Sequence, residues 1–467
     1  MQNTKLLQVL ATLSVEELEE FHMHVKQLPV RDAIKKLIAH LSEFRGNWNQ
    51  VDLELEVIGT HLGYEPPFKS LSNRASDLYK ILMNFLLQKK LHSSAYKFEK
   101  EFLELKIFEE RGIDKLKKLK SEQLMRQLDQ SKITDQWSPF RRMLLYDMAY
   151  YNMDENRIDL KKTEIESCLQ EEEYFSVGTR LKYACELLSR SQVLKAEIEN
   201  TALWDSILQL EVKPGDPFQE IYQAAFRVLY LLTPYDFQVT FNILQKRGEC
   251  LPNDDQYRIF MYLLNSAAQR SKREVQVYGQ KLLELYEFGL PKGYLTHHDH
   301  ISRVNYINIL DIAYKISNFK FAENFIKVYE SKLSVEDKPG TSILAEALLC
   351  FAKNEYGDVL KKLSINNFKF LDEKFRSHIL LLCCLYELEG HSTLVWDKCK
   401  SLQIFIDRNK PKLHSNFLLS VRNFVNFTQK LLRRKSPKEK LLDELSSTEN
   451  IVMRQWLEKK IQEKLNP

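Results

Sequence analysis

Residues 296–303 read THHDHISR, and this stretch holds the closest grouping of possible metal ligands in the chain. His297 and His300 stand three positions apart, so on a helix both imidazoles would share one face. Imidazole is a common zinc ligand, and a zinc-bound water can attack a scissile bond. The spacing therefore raises the hypothesis of a metal-dependent hydrolase centred on His297 and His300.

The same stretch also fits the start of a helix. The zinc-protease pattern needs two histidines four positions apart with a glutamate between them, and a metal site needs a third ligand. Thr296 is a suitable N-cap, and Asp299 would complement the positive end of the helix dipole. Because the chain has no second histidine cluster, we interpret the stretch as a helix start and expect no metal, no cofactor and no catalytic residue.

Searches for other catalytic patterns lead to the same expectation. The sequence contains no phosphate-binding G-x-x-x-x-G-K-[ST] loop, no G-x-G-x-x-G, no G-x-S-x-G and no H-E-x-x-H. The 68 basic and 64 acidic side chains leave a net charge of only +4. Such a balance does not by itself indicate nucleic acid or an anionic membrane as a partner. We therefore expect a protein that is not an enzyme.

The cysteines and the start of the chain indicate a cellular location. The seven cysteines show no C-x-x-C spacing, and several lie in apolar stretches such as 379–388. Buried thiols of this kind are typical of a reducing compartment. The amino terminus lacks the pattern of a signal peptide, and no stretch reaches the roughly 18 to 20 apolar residues of a membrane span. These features predict a cytoplasmic protein without a membrane segment.

The elements that must position any site are helices. Glycine and proline number only 13 each in 467 residues, well below their usual shares of about 7% and about 5%. At the N-terminus, Ser14 and Glu17 form a capping-box pattern, and Leu18, Phe21 and Val25 recur at steps of three and four. The sequence predicts a helical unit over 1–91.

Long charged helices are predicted over 92–216, up to the cluster of glycine and prolines in VKPGDPF at 212–218. Paired helices with short turns follow over 217–412, and a closing helical segment occupies 413–467. The predicted pairs are 217–232 with 235–248, 254–271 with 274–288, 297–316 with 319–333, 341–353 with 355–363, and 372–389 with 391–408. The pairs begin about 31 to 44 residues apart, which is typical of two-helix repeats.

The third pair resembles a tetratricopeptide repeat. In AYKISNFKFAENFIKVYESKL (313–333), Ser317, Asn318 and Phe319 occupy the turn, and Ala322 is small where that family packs two helices closely. Weaker echoes occur at 350–363 and 385–405. The LSVEELEEF unit, the helical middle and the closing RQWLEKKIQEKL are also similar to uncharacterised bacterial helical-repeat proteins. The resemblance implies stacked hairpins whose first helices line a concave wall, where a peptide or protein partner binds.

A second hypothesis concerns DNA. Residues 51–83 resemble a helix-turn-helix whose second helix would present Lys69, Ser72, Asn73 and Arg74 near its start, and these residue types read bases and phosphates. The turn containing Glu65, Pro66 and Pro67 is longer than the usual three or four residues. The alternative interpretation is a core helix whose inner face includes Leu78 and Leu82.

Two basic runs could contact phosphate. DKLKKLK (114–120) places Lys115 and Lys118, with Lys117 beside them, on one helix face, and KLLRRKSPKEK spans 430–440. Both also suit solvated surface, and the second run fits an exposed loop after a helix C-terminus, where cations are favoured. We interpret them as exposed charge.

These observations together predict an all-α protein, an irregular α-solenoid of tetratricopeptide-like hairpins behind an N-terminal helical unit. The leading hypothesis is a non-enzymatic scaffold or adaptor that binds a polypeptide in its concave groove. One alternative is a repeat-containing regulator that binds DNA near residues 51–83. The other is the hydrolase centred on His297 and His300.

Overall fold

The fold is all-α, as the sequence predicts. A computed structural model describes residues 4–44, 48, 54–93, 96–150, 164–194, 201–231, 233–297, 299–364, 368–412, 415–433 and 437–463. These residues form 23 α-helices and one antiparallel hairpin of two very short strands. The chain divides into two compact units, of which unit 1 comprises 1–131 with 142–168 and unit 2 comprises 132–141 with 169–467.

The described residues of unit 1 form seven complete helices. They are α1 (Lys5–Leu10), α2 (Val15–Gln27), α3 (Asp32–Ser42), α4 (Leu55–His61), α5 (Lys69–Leu91), α6 (Lys97–Glu110) and α7 (Asp114–Gln130). Two further helices, α8 (Ser138–Tyr150) and α9 (Glu164–Leu194), contain residues of both units.

The first five helices of unit 1 share one hydrophobic core. The predicted capping box starts α2, because the Ser14 hydroxyl accepts from the Glu17 backbone amide and the Glu17 carboxylate accepts from the Ser14 amide. Behind this cap, the stripe of Leu18, Phe21 and Val25 is buried. Helix α5 contacts α1, α2 and α3, so the long helix forms the centre of this core.

Unit 2 carries the hairpins. Its helices are α10 (Thr201–Leu208), α11 (Pro217–Tyr230), α12 (Pro234–Arg247), α13 (Asn253–Arg270), α14 (Val275–Gly289), α15 (Arg303–Lys315), α16 (Phe319–Tyr329), α17 (Lys338–Ala352), α18 (Tyr356–Ser364), α19 (Leu371–Glu389), α20 (Thr393–Asn409), α21 (Ser415–Leu432), α22 (Lys438–Ser447) and α23 (Arg454–Glu463). Each of the five predicted helix pairs is present.

Local sequence explains where these helices begin. Asp216 caps α11 by accepting from the amides of Phe218 and Gln219, and Pro217 fills the first helical position, where an amide hydrogen has no partner. Thr233 and Pro234 repeat this arrangement at α12. The same start signal therefore opens both helices of the first hairpin.

Three of the four pairs of helices that begin successive hairpins pack against one another, while α15 contacts α14, the second helix of the preceding hairpin. Helix α11 contacts α13, α15 contacts α17, and α17 contacts α19. One hydrophobic core includes residues from Val177 to Cys384, and a second includes residues from Phe375 to Ile461. Helix α19 contributes to both cores, so the last hairpin and the closing helices α21 to α23 are joined to the preceding hairpins through it.

The start of α15 differs from the prediction. The helix begins at Arg303 rather than near 297, and Ser302, not Thr296, is its N-cap through a bond from the Asn305 amide. Thr296–His297 (β1) and His300–Ile301 (β2) pair antiparallel instead. Asp299 has a φ of 64°, a left-handed conformation that makes the turn and cannot continue a right-handed helix. Asp299 therefore belongs to a turn, not to the first turn of α15.

No helix in the described part of the chain combines the length and the hydrophobicity that crossing a membrane requires.

Candidate functional site

A groove of about 680 Å³ lies within unit 2. Most of its walls come from α15, α17 and α19, the first helices of three successive hairpins. The turn between α13 and α14, Phe417 of α21 and the segment at 451–456 complete the lining. We call this space the groove.

Helix α15 gives the groove one continuous stripe. The lining residues are Val304, Ile307, Asn308, Asp311, Ile312 and Lys315. Their steps of three and four place them on one face of the helix. Tyr306, Leu310 and Ala313 point elsewhere and are buried in the core. The helix therefore has two faces. One is apolar and lies in the core, and the other combines apolar and polar side chains and lies toward the groove.

Helices α17 and α19 supply five apolar residues of the wall. Leu344, Leu348 and Phe351 recur at steps of four and three on α17, and Ile379 and Leu380 lie side by side on α19. Because α17 contacts both α15 and α19, the three stripes adjoin. The groove thus depends on residues that short sequence windows present as ordinary helix-core positions.

The wall at 451–456 is held by hydrogen bonds to helices behind it. The Val452 amide donates to the Ser420 carbonyl at 3.4 Å, and the Asn423 side chain donates to the Asn450 carbonyl at 2.8 Å. The Arg454 guanidinium donates to the Leu445 carbonyl at 2.7 Å and also to the Thr448 carbonyl, and so caps the end of α22. These bonds fix the segment in place as part of the wall.

One arginine ties together the starts of the three first helices. Arg303 at the start of α15 bonds Asp337, which precedes α17, at 3.1 Å and Asp372 of α19 at 3.1 Å. Its guanidinium also lies 3.8 Å from the centre of the Phe370 ring. A planar guanidinium suits both carboxylate pairing and ring stacking, so Arg303 fixes one end of the groove.

The charged residues in the groove differ in whether a side chain of opposite charge pairs with them. Lys315 pairs with Asp311 at 2.6 Å, and Asp372 is held by Arg303. The guanidinium of Arg376 instead donates to the neutral amide oxygen of Asn308 at 2.6 Å. Among the described residues, Arg376 has no carboxylate within 4 Å.

The histidines at 297 and 300 lie outside the groove, on the short hairpin. Both side chains are exposed, and Nδ1 of His300 is 3.3 Å from the Lys332 carbonyl oxygen. Asp299 pairs with Lys332 at 2.7 Å, and this hydrogen bond lowers the pKa of the Asp299 carboxyl. His298 lies outside the described residues. Within the described ranges, no three histidine, cysteine or acidic side chains converge where they could hold a metal ion.

The DNA hypothesis concerns the start of α5 in unit 1. Lys69, Ser72 and Asn73 are exposed there, whereas Arg74 is half-buried and pairs with Asp77 of the same helix at 3.5 Å. Leu71, Ala75, Leu78 and Leu82 on the other face are buried, as the core-helix interpretation expects. Residues 51–53 of the proposed motif lie outside the described residues.

The basic run at 114–120 is more strongly paired than the sequence suggests. Lys117 is buried and bonds Glu109 at 3.1 Å, so the interpretation of this side chain as exposed charge is wrong. Lys120 pairs with Glu101 at 3.2 Å and Glu104 at 2.9 Å. These bonds join α6 to α7. Of the second basic run, residues 434–436 lie outside the described part of the chain.

Sequence reasoning missed the groove residues. The only available signal was the polar set Asn308, Asp311 and Lys315 on a helix that also has a complete apolar face. Arg376 had no signal at all, because its lack of a carboxylate partner depends on residues distant in sequence. Comparison of the chain with protein-family models, with curated proteins and with solved structures finds no match.

Proposed function

We propose that the protein is a non-enzymatic scaffold or adaptor that binds a polypeptide segment in the groove. The observation that supports this most is the convergence of three first helices on one mainly apolar space. In this proposal the hairpins over 217–412 form an irregular tetratricopeptide-like solenoid. The protein would act in the cytoplasm, where its seven free thiols would stay reduced.

The chemistry of the groove suits a polypeptide. Its walls combine aliphatic and aromatic side chains with a few fixed polar groups, a mixture that gives affinity through burial and orientation through hydrogen bonds. A helix or an extended segment with an apolar face can pack on adjoining helical stripes. Val304, which is 40% exposed, would be covered by such a ligand.

The experiment uses a ligand selected from a random 12-residue peptide display library on the full chain. The test variant is Val304→Asp, which places a charge in the groove wall. Val304 is the second residue of α15, and aspartate is tolerated in the first turn of a helix, so the fold should be kept. We expect the selected peptides to lose roughly tenfold or more in affinity.

Val277→Asp is the matched control. Val277 is also in the first turn of a helix, α14, and is 47% exposed, but it does not line the groove. We expect it to bind the selected peptides with unchanged affinity. The proposal fails if no peptide is selected, or if the two variants weaken binding equally.

A further inference from the structure

Arg376 is the groove residue whose positive charge is not paired with a carboxylate among the described residues. The side chain is half-buried in the lining of the groove, and among the described residues its guanidinium bonds the amide oxygen of Asn308 and no carboxylate. Every other arginine near the groove is supported differently. Arg303 has two carboxylates, and Arg454 has two backbone carbonyls at the end of a helix.

A positive charge in this position destabilises the free protein unless a ligand pairs with it. Partial removal of a guanidinium from water is unfavourable, and a neutral amide compensates less well than a carboxylate does. Replacing the side chain by an apolar one would extend the hydrophobic wall at no such cost. Both acidic residues of the lining, Asp311 and Asp372, are already paired, with Lys315 and Arg303, whereas Arg376 bonds a neutral amide. The groove is therefore electrostatically suited to a negative group.

The position of Arg376 restricts where that group lies in the ligand. On α15, Val304 and Ile312 stand one turn before and one turn after Asn308, the residue that Arg376 contacts. On α19, Ile379 and Leu380 lie one turn after Arg376. On α15 the apolar wall thus continues on both sides of the charge, whereas on α19 the residue one turn before Arg376 is Asp372, which pairs with Arg303. A ligand that lies along α15 would have apolar side chains on both sides of its acid.

We propose that the groove selects a polypeptide segment in which an internal aspartate or glutamate, flanked on both sides by large apolar residues, pairs with Arg376. This inference rests on the proposed function of the groove. It names a class of partner sequence and makes Arg376 the residue that determines specificity. Arginine can engage such a carboxylate through two parallel hydrogen bonds.

The test is a double-mutant cycle between the protein and a peptide from the display library. The protein variants are Arg376→Gln and, as a charge-loss control outside the groove, Lys400→Gln, an exposed residue of α20. Three forms of the peptide are used: the selected sequence, the same sequence with its acid changed to the amide, and a form whose only carboxylate is at the C-terminus.

We expect the selected 12-residue peptides to contain an internal acid between apolar residues. Changing this acid to the amide should weaken binding to the wild-type chain and to Lys400→Gln by roughly tenfold or more. The same change should have little effect on Arg376→Gln. The peptide with only a C-terminal carboxylate should bind the wild type as weakly as the amide form does.

Three results would overturn the inference and leave the proposed function standing. In the first, peptides that depend on Val304 carry no internal acid. In the second, the acid-to-amide change weakens binding equally in the wild type and in Arg376→Gln. A peptide that needs only its terminal carboxylate would also overturn it. If no selected peptide depends on Val304, both the inference and the proposed function fail.

Discussion

The groove in unit 2 and the start of α5 in unit 1 each present polar and cationic side chains beside an apolar core. They differ in how many elements contribute. At α5, Lys69, Ser72 and Asn73 belong to one helix, and Arg74 pairs with an aspartate of that same helix. In the groove, residues of α15, α17, α19, α21 and α23 and of two connecting segments converge, and Arg376 contacts a residue 68 positions away in sequence.

The difference shows that residue types at a helix start are weak evidence for a site. Serine, asparagine and lysine are common on any exposed first turn, because they are solvated there at little cost. A mainly apolar space open to solvent is less common, because apolar surface is normally buried. The predictions below test this contrast, beginning with the largest expected effect.

The first prediction compares two arginines. Arg303→Ala should lower the free energy of unfolding by about 2–4 kcal/mol, because it leaves Asp337 and Asp372 unpaired and removes the packing on Phe370. Arg74→Ala should cost less than about 1 kcal/mol, since its single partner is partly exposed and on the same helix. Denaturant unfolding of each variant measures this. Equal losses would remove the contrast between the two regions.

The second prediction concerns pH. Burial, together with the charge of Lys398, lowers the pKa of His378 in α19 to about 4. The folded state therefore binds fewer protons than the unfolded state between pH 6.5 and pH 4, and stability is lost as pH falls through this window. Because the side chain is partly exposed, we expect a loss of about 1–2 kcal/mol.

His378→Gln should remove this part of the pH dependence, as followed by unfolding between pH 4 and pH 7. In unit 1, burial also lowers the pKa of His40, with a smaller opposing effect of Glu43. His40→Gln should therefore change the pH dependence of the free energy of unfolding in the same direction and by a smaller amount. A larger effect of His40→Gln than of His378→Gln would contradict the stronger burial of the His378 imidazole in α19.

The third prediction compares two glutamates that accept from the backbone at helix starts. The Ser14 amide lowers the pKa of Glu17, whereas burial raises the pKa of Glu373, whose Oε1 atom finds no hydrogen-bond partner in the described part of the chain. The raised pKa means that Glu373 destabilises the fold as pH rises above about 4.5.

At pH 7, Glu373→Gln should raise the free energy of unfolding by about 1 kcal/mol, and this gain should disappear near pH 4. Glu17→Gln should have the opposite sign, a loss of about 0.5 kcal/mol at pH 7, because it weakens the charged half of a capping box. Thermal unfolding at the two pH values distinguishes the signs. A loss on Glu373→Gln would mean that its carboxylate is better satisfied than the contacts indicate.

The smallest effect is expected at the exposed start of α5. Lys69→Ala and Asn73→Ala should change neither stability nor the weak, salt-dependent affinity for duplex DNA that any cationic surface has. Fluorescence anisotropy with a labelled duplex at two salt concentrations tests this. A sequence-dependent loss of affinity in Asn73→Ala would instead support the alternative of a DNA-binding regulator.

The sequence predicts the helices much better than the groove. Helix starts such as Ser14 with Glu17 and Asp216 with Pro217 are local signals, and the apolar steps of three and four follow from helix geometry alone. The predicted start of α15 is wrong because the residue types of Thr296 and Asp299 fit a helix cap as well as that of Ser302 does. What decides between them is the left-handed Asp299 and the pairing of 296–297 with 300–301, which no residue type specifies.

The groove could not be predicted because its parts are separated along the chain. Val304 and Trp456 line the same space, and only tertiary packing brings them together. Leu344 and Leu348 have the spacing of core residues, and nothing in the sequence distinguishes a leucine facing a groove from one facing another helix. The isolation of Arg376 is likewise a property of its surroundings.

Hydrogen–deuterium exchange of the full chain, with and without a peptide selected from the display library, tests the central claim most directly. The account predicts slower exchange in 303–315, 338–352, 371–389 and 449–456 when the peptide is bound, and no change in 69–91. Protection confined to 69–91, or protection nowhere along the chain at a saturating peptide concentration, would contradict it.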